Sequence, residues 1–419
     1  MNFTKDWRSG FWFLMATQFQ NAFSDNTLKS LVTFLVLAMP VSAAQRETQV
    51  ALAAALFALP FILFSMLGGW LADRFSKQQV LSCVKAAEIG IMGVATLGLA
   101  MHSLPLQLGS VFLMGCHSAI FGPSKYGILP EVLPVERISW GNGILELLTF
   151  LGIILGTLAG GFFASWFAAT PWVAGACLMG LAVVGWACSR GILKVPAADP
   201  GCALRVNPIS DFGRQLGVMR LDRDLWRANW GNTGFFFIAA LVQMNLVVFG
   251  HDVLGLSEKQ NSSLNAALAI GIGLGSVLAG YASRGRIEYR LVPLGGVVIG
   301  LSTVPMGMAG VGTAWFAVAL VALGLGAGLF IVPIASVLQQ RPAPEQKGAV
   351  QGAASLMSFM GILGASGAQK ALRWAGLDAG QVFWACGVVS VAVGVYVAWS
   401  RRDAMRGIPA SNRGEPEGR

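Results

Sequence analysis

Apolar positions run in long stretches along nearly the whole chain, at 10–39, 50–71, 80–101, 106–129, 140–167, 171–193, 225–249, 260–282, 291–309, 313–338, 349–372 and 382–400. Each is long enough for a membrane-crossing helix, which needs roughly 20 predominantly apolar residues. The pattern predicts an all-α membrane protein with twelve transmembrane helices. In lipid a spanning segment must satisfy its own backbone hydrogen bonds, which leaves helices or a closed barrel. Run length excludes the barrel, whose strands alternate over about ten residues. Pro60 and Pro333 inside the runs are compatible with membrane helices. The longest polar interruption lies at 194–224, with Pro196, Pro200, Pro208 and several Arg. It divides the chain into an N-terminal six-helix bundle (1–193), a cytoplasmic linker (194–224), a C-terminal six-helix bundle (225–402) and a cytoplasmic tail (403–419).

Composition supports this division. The chain is 55% hydrophobic and 12% charged, against about 25% charged residues in soluble domains. The net charge of +9 changes meaning once its positions are sorted. Lys5, Arg8, Arg74, Lys77, Arg137, Arg190, Lys194 and the other linker arginines fall on one side. So do Arg284, Arg286, Arg290, Arg341, Lys347 and the tail residues Arg401, Arg402, Arg406, Arg413 and Arg419. The other side holds Arg46, Lys259, Lys370 and Arg373. The positive-inside rule therefore predicts a multi-pass protein with both termini and the central linker cytoplasmic. The basic excess sets topology and does not point to nucleic acid. No cleavable signal peptide is apparent at the N-terminus.

Cys83, Cys116, Cys177, Cys188, Cys202 and Cys386 are scattered, and His102, His117 and His251 are isolated. These residues predict no metal site, cofactor or disulfide framework. Acyltransferase-type His-Asp pairs, nucleophile elbows and phosphate-binding Gly loops are also missing, so the sequence predicts no enzyme.

A weak internal repeat accompanies the two halves. Gly69-Trp-Leu-Ala-Asp73-Arg74-Phe-Ser-Lys77 follows the second span, and Gly280-Tyr-Ala-Ser-Arg284-Gly-Arg286 follows the eighth. Gly69 permits close helix approach. Asp73 favours a helix N-terminus, while Arg74 and Lys77 suit carboxylates or helix C-termini. This Gly-x-x-x-Asp-Arg-x-x-Lys pattern resembles the loop motif of the major facilitator superfamily. That resemblance implies substrate binding at mid-membrane between two rocking halves, with Gly69, Asp73, Arg74 and Lys77 gating the cytoplasmic side. The simpler alternative is that the cations only set topology. The second copy lacks the Asp.

Ionisable residues inside a membrane are expensive and mark functional sites. The first span carries Asn21, Asp25, Asn26 and Lys29. Asp25 and Lys29, four apart, can pair on one face, either as a self-neutralising structural pair or as part of a cavity lining. Lys85 and Glu88 lie three apart in the third span. Asn142, Glu146 and Thr149 share one face of the fifth, and Glu146 needs a partner from another helix: Lys29, Lys85 or Lys125. The second half offers mainly amides, at Asn229, Asn232, Gln243, Asn245 and Asn265. A cavity charged on one side and mostly apolar on the other suits an amphiphile better than a sugar.

Three stretches narrow the resemblance: Gln18-Phe-Gln-Asn-Ala-Phe-Ser-Asp25-Asn26; Phe121-Gly-Pro-Ser-Lys125-Tyr126-Gly127-Ile-Leu-Pro130-Glu131; and Gly141-Asn142-Gly-Ile-Leu-Glu146 with Gly152, Gly156, Gly160 and Gly161. Together they look like the lysophospholipid transporter group and the transporter part of bacterial acyltransferase/acyl–carrier-protein synthetase fusions. The resemblance implies a monomer that moves lysophospholipid, chiefly lysophosphatidylethanolamine, inward for re-acylation, with a functional link to an acyltransferase. It implies a bacterial inner membrane and places Asp25, Asn26, Lys125, Asn142 and Glu146 at substrate or gate; Lys29, four residues beyond Asp25, joins the expected substrate set from its place in the first span. The seventh span departs, since Gln243 stands where the group can carry a basic residue; it enters the expected substrate set. The competing expectation is a proton-coupled exporter of drugs or other amphiphiles with Asp25 and Glu146 as proton carriers. Against it, Thr157 stands where the antiporter motif has Pro.

Overall fold

The computed structural model describes residues 7–203, 207–256, 258–308 and 310–399. Lys5, Arg205, Arg401, Arg402 and the expected tail at 403–419 lie outside them. The described residues form thirteen α-helices and no strand. The first six are α1 (Trp7–Leu37), α2 (Ala43–Arg74), α3 (Lys77–Ala100), α4 (Leu104–Val132), α5 (Ile138–Trp166) and α6 (Trp172–Arg190). After the linker helix α7 (Pro208–Leu221) come α8 (Arg223–Asp252), α9 (Glu258–Ala282) and α10 (Leu291–Met306). The last three are α11 (Thr313–Gln340), α12 (Lys347–Trp374) and α13 (Ala379–Trp399).

Ten of these helices are long and apolar enough to cross a membrane. Of the twelve expected spans, α1 and α10 fall short. α1 carries Gln18, Gln20, Asn21, Asp25 and Lys29 along its length, which lowers its hydropathy. α10 has 16 residues, about 24 Å at 1.5 Å per residue. The helix α7 was not anticipated. Its start is written locally: the Asn207 side chain accepts the N–H groups of Ile209 and Ser210, and Pro208 opens the first turn. Phe212, Leu216 and Met219 then pack on the core of the second half.

Helix contacts repeat between the halves. In the first, α1 packs on α5 and α6, α2 on α4, and α3 on α4 and α6. In the second, α8 packs on α12 and α13, α9 on α11, and α10 on α11 and α13. Helix for helix, these are the same pairings. The halves meet through α2 with α12 and α5 with α9, which also correspond. This is the pseudo-symmetric arrangement of two six-helix bundles expected from the hydrophobic pattern.

The α1–α5 seam rests on glycine. A Cβ at Gly152 would lie 2.9 Å from the Phe19 carbonyl oxygen, and one at Gly156 3.0 Å from the Phe23 Cα. Small residues at four-residue spacing let two backbones approach without any hydrophobic drive between them. Gly156→Val should destabilise the protein by about 1–3 kcal/mol through overpacking. Gly90→Val, where nothing lies within 4 Å of an added Cβ, should leave stability unchanged. Thermal unfolding in detergent distinguishes the two.

Candidate substrate cavity and gate

The turns after α2, α4, α6 and α11 carry Arg74, Lys77, Arg137, Arg190, Lys194 and Arg341, and this end of the protein is called the basic end. Hydrogen bonds that join the bundles lie there. The Asp73 carboxylate, at the end of α2, accepts the backbone N–H of Gly348 at 2.6 Å and of Ala349 at 2.7 Å. These two residues open α12, so a carboxylate caps free amides at a positive helix end. Gly69 makes the contact possible, since a Cβ there would stand 2.7 Å from the Gly348 carbonyl oxygen. Lys77 Nζ pairs with Glu131 at 2.7 Å. Arg74 instead reaches a backbone oxygen of the linker, that of Cys202, at 3.3 Å, and Trp70 Nε1 shares it at 3.1 Å.

Asn142 belongs to this contact layer. Its Nδ2 donates to Gln339 Oε1 at 3.0 Å and to Ser336 Oγ at 3.1 Å, while Gln339 Nε2 donates back to Asn142 Oδ1 at 2.8 Å. The reciprocal amide pair is buried and joins α5 to α11 across the bundle interface.

Away from the basic end the bundles part around a cavity of about 370 Å³, within the range of small-ligand sites. On α1, Gln18, Asn21, Asp25 and Lys29 recur every three or four residues and line it together with Asn26. α4 adds Ser118, Lys125 and Tyr126, and α5 adds Glu146 and Thr149. The facing wall comes from α8, α11 and α12, with Asn232, Phe236, Ile331, Gln339, Gln351, Ser358, Phe359 and Ile362. It contributes no ionisable lining residue. Phe61 of α2 stacks on Phe359 with centroids 4.0 Å apart.

The charged groups are arranged differently from the pairings that spacing allowed. Asp25 Oδ2 accepts Ser118 Oγ at 2.7 Å and Asn21 Nδ2 at 3.2 Å. Lys29 Nζ donates to Asn26 Oδ1 at 3.1 Å and lies 5.2 Å from the Phe57 ring centroid. Neutral donors therefore hold the carboxylate, and Asp25 and Lys29 form no ion pair. Nor does Glu146 pair with a lysine; it accepts the Tyr126 hydroxyl at 3.2 Å. Lys125 Nζ rests over the Tyr126 ring at 4.3 Å. Lys85 is committed elsewhere, to Glu88 in a fully buried ion pair. Gln20 Nε2 also donates to Glu88, at 2.9 Å, and His117 Nε2 stands 3.3 Å from it. His117 is thus not isolated, as the sequence had suggested. This cluster lies behind the cavity wall and does not line it.

Three α1 residues that line the cavity each keep one buried side-chain oxygen without a hydrogen bond: Gln18 Oε1, Asn21 Oδ1 and Asp25 Oδ1. Of the expected substrate residues, Asp25, Asn26, Lys29, Lys125 and Glu146 come together, whereas Asn142 and Gln243 lie elsewhere. Gln243 is exposed. It shares the α8 face of Asn232 and Phe236 but sits seven residues beyond Phe236, about 10 Å along the axis.

The sequence pattern described as Major Facilitator Superfamily matches residues 11–366. The chain belongs to the major facilitator superfamily. The human organic anion transporter MFSD10 superposes with a TM-score of 0.80 at 14% identity, covering 94% of this chain and all of that one. FucP in its outward conformation follows with 0.76 at 9% identity, covering 94% and 99%. In sequence, the chain is 29% identical over 335 residues to the lysophospholipid transporter LplT of Klebsiella pneumoniae, covering 78% of this chain and 79% of that protein. The LplT of Photorhabdus laumondii is equally similar, at 29% over 331 residues.

Within this superfamily member, sequence reasoning missed Tyr126, Ser118 and Gln339 as site residues. Tyr126 adjoins Lys125, and Ser336 and Gln339 are polar points three apart near the end of the mostly apolar α11, a signal of a buried polar contact. Gln339→Leu leaves the Asn142 amide buried without its reciprocal partner, a loss of about 1–3 kcal/mol that falls on the state closed at the basic end. Spin labels on the α4–α5 turn and the α9–α10 turn should show a larger population at long separation. An unchanged distance distribution would refute a role for the Asn142–Gln339 pair in holding this end closed.

Proposed function

We propose that this protein is a secondary transporter, not an enzyme, that moves lysophospholipid across the bacterial inner membrane by alternating access. The observation that carries the proposal is the division of the cavity into a charged wall and a facing wall without ionisable groups. The names of the LplT relatives support the same substrate class.

The positive-inside rule makes the basic end cytoplasmic, so the cavity opens to the outside in this conformation. A zwitterionic head group, such as that of lysophosphatidylethanolamine, binds the wall of α1, α4 and α5. Its ammonium carries hydrogen-bond donors and no acceptor, which complements the Asp25 and Glu146 carboxylates on that wall. Lys125 and Lys29 face the phosphate, and Glu146 with Tyr126 closes the polar pocket. The acyl chain lies against Phe61, Phe236, Phe359 and Ile362. Gly69 and Asp73 hold the cytoplasmic gate at the start of α12, with Arg74 and Lys77 fastening α2 and α3 to their surroundings. Opening it delivers lysolipid to the cytoplasmic leaflet, where an acyltransferase can re-acylate it. The protein acts as a monomer, since each chain contains both walls.

Reconstituted protein should accelerate inward movement of labelled lysophosphatidylethanolamine. Asp25→Asn should weaken apparent affinity about 10- to 100-fold, as expected for losing a charge-assisted hydrogen bond. Flux of a labelled cationic drug that follows an imposed proton gradient and is abolished by Asp25→Asn would instead establish the proton-coupled exporter. Lysolipid movement unaffected by the protein would sink the proposal.

A further inference from the structure

The outer flank of the first bundle carries a second recess at the basic end. A groove of about 480 Å³ runs between the start of α3 and the end of α6. It shares no residue with the substrate cavity. At its mouth stand Arg190 and Lys194, with Ser76 and Gln79 beside them. No carboxylate lines the groove, and neither cation makes an ion pair among the described residues. Arg190 lies 5.5 Å from the Trp186 ring centroid, which holds the guanidinium at the groove edge.

A further observation points to an anion. The first turn of α3 has neither a side-chain cap nor an acidic residue, so its leading N–H groups stay free. Deeper in, the lining turns apolar at Cys83 and Ala86. Ala86 lies ten residues beyond Ser76, about 15 Å toward the membrane centre. The groove therefore has a cationic, donor-rich mouth at the membrane surface and an apolar floor running inward. That is the shape of one phospholipid: phosphate outside, acyl chain inside. Basic recesses between helices on the cytoplasmic face bind anionic head groups in this way. α3 and α6 pack on each other within one bundle, so the groove persists when the bundles rock.

We propose that this groove is a binding site for an anionic phospholipid of the leaflet at the basic end, separate from the transport cavity. Arg190, Lys194 and the start of α3 take its phosphate, and one acyl chain lies along Cys83 and Ala86.

Native mass spectrometry of the full-length protein in detergent, titrated with phosphatidylglycerol or phosphatidylcholine, tests this. The unaltered chain should bind phosphatidylglycerol preferentially. Arg190→Gln with Lys194→Gln should lower its affinity by on the order of tenfold or more, given the strength of each surface cation toward anionic lipid. Arg286→Gln with Arg290→Gln, at the same end but outside the groove, should change it less than twofold. Ala86→Trp keeps both cations and fills the apolar floor, so it should also block the lipid; Ala86 is exposed and tolerates the change. Equal losses from the two double variants, or no preference over phosphatidylcholine, would mean a diffuse basic surface and overturn the proposal. Inorganic phosphate that displaces the lipid, together with lipid binding unaltered by Ala86→Trp, would mean a free-anion site and overturn it as well.

Discussion

A charge placed in hydrocarbon must be answered by the protein itself, because no water or counterion is at hand. The first bundle answers its charges in two ways. Lys85 and Glu88 are fully buried and neutralise each other, with Gln20 and His117 closing on Glu88. Here α1, α3 and α4 are tied together and little bonding capacity remains for a ligand. Asp25, Lys29, Lys125 and Glu146 are held by Ser118, Asn21, Asn26 and Tyr126 instead of by one another. Neutral partners fix the position of a charge without cancelling it. The same helices thus contain a structural ion pair and, one layer closer to the bundle interface, a set of charges still available to a charged guest.

The closed end is built from the opposite materials. Gly69 lets α2 touch the start of α12, and the Asp73 carboxylate takes two backbone amides there. The Asn142–Gln339 pair repeats the principle between α5 and α11. Each contact is strong when made, because its groups are buried, and each has an alternative when broken, because the groups gain water as the end opens. Such contacts suit a switch between two discrete packings better than a greasy interface, which would lose burial with no polar compensation.

The fold was legible because lipid imposes a single rule on every span, and long apolar runs state that rule openly. Loop arginines and lysines made the two ends distinguishable. The linker helix α7 escaped because prolines and arginines dominate the 194–224 stretch, while its signal is the small Asn207-Pro208 start. At the site, sequence spacing named the helices and faces but not the partners. Asp25 and Lys29 are placed to pair at i and i+4, yet Ser118 from α4 takes the carboxylate, and nothing in the α1 sequence announces it. Asn142 and Glu146 share a face of α5, yet one meets α11 and the other, one helical turn further on, the cavity. Gln243 lies on the correct face of α8 at the wrong height. Face is written in periodicity; depth depends on where two bundles diverge, which only the assembled structure defines.

The backbone is pseudo-symmetric, but the chemistry is not. Helix pairings in the first bundle recur in the second, while the ionisable cavity residues all come from the first. For an amphiphilic cargo this has a mechanical consequence. A zwitterionic head bound to α1, α4 and α5 stays with one rigid body throughout rocking, so its interactions need not be broken in transit. The apolar wall moves past the hydrocarbon tail, and dispersion contacts there are non-directional and can be exchanged continuously. A cavity charged on both walls would have to tear ion pairs on one side at every reversal. With charge confined to one wall, no ion pair across the cavity has to be broken as the walls move past each other.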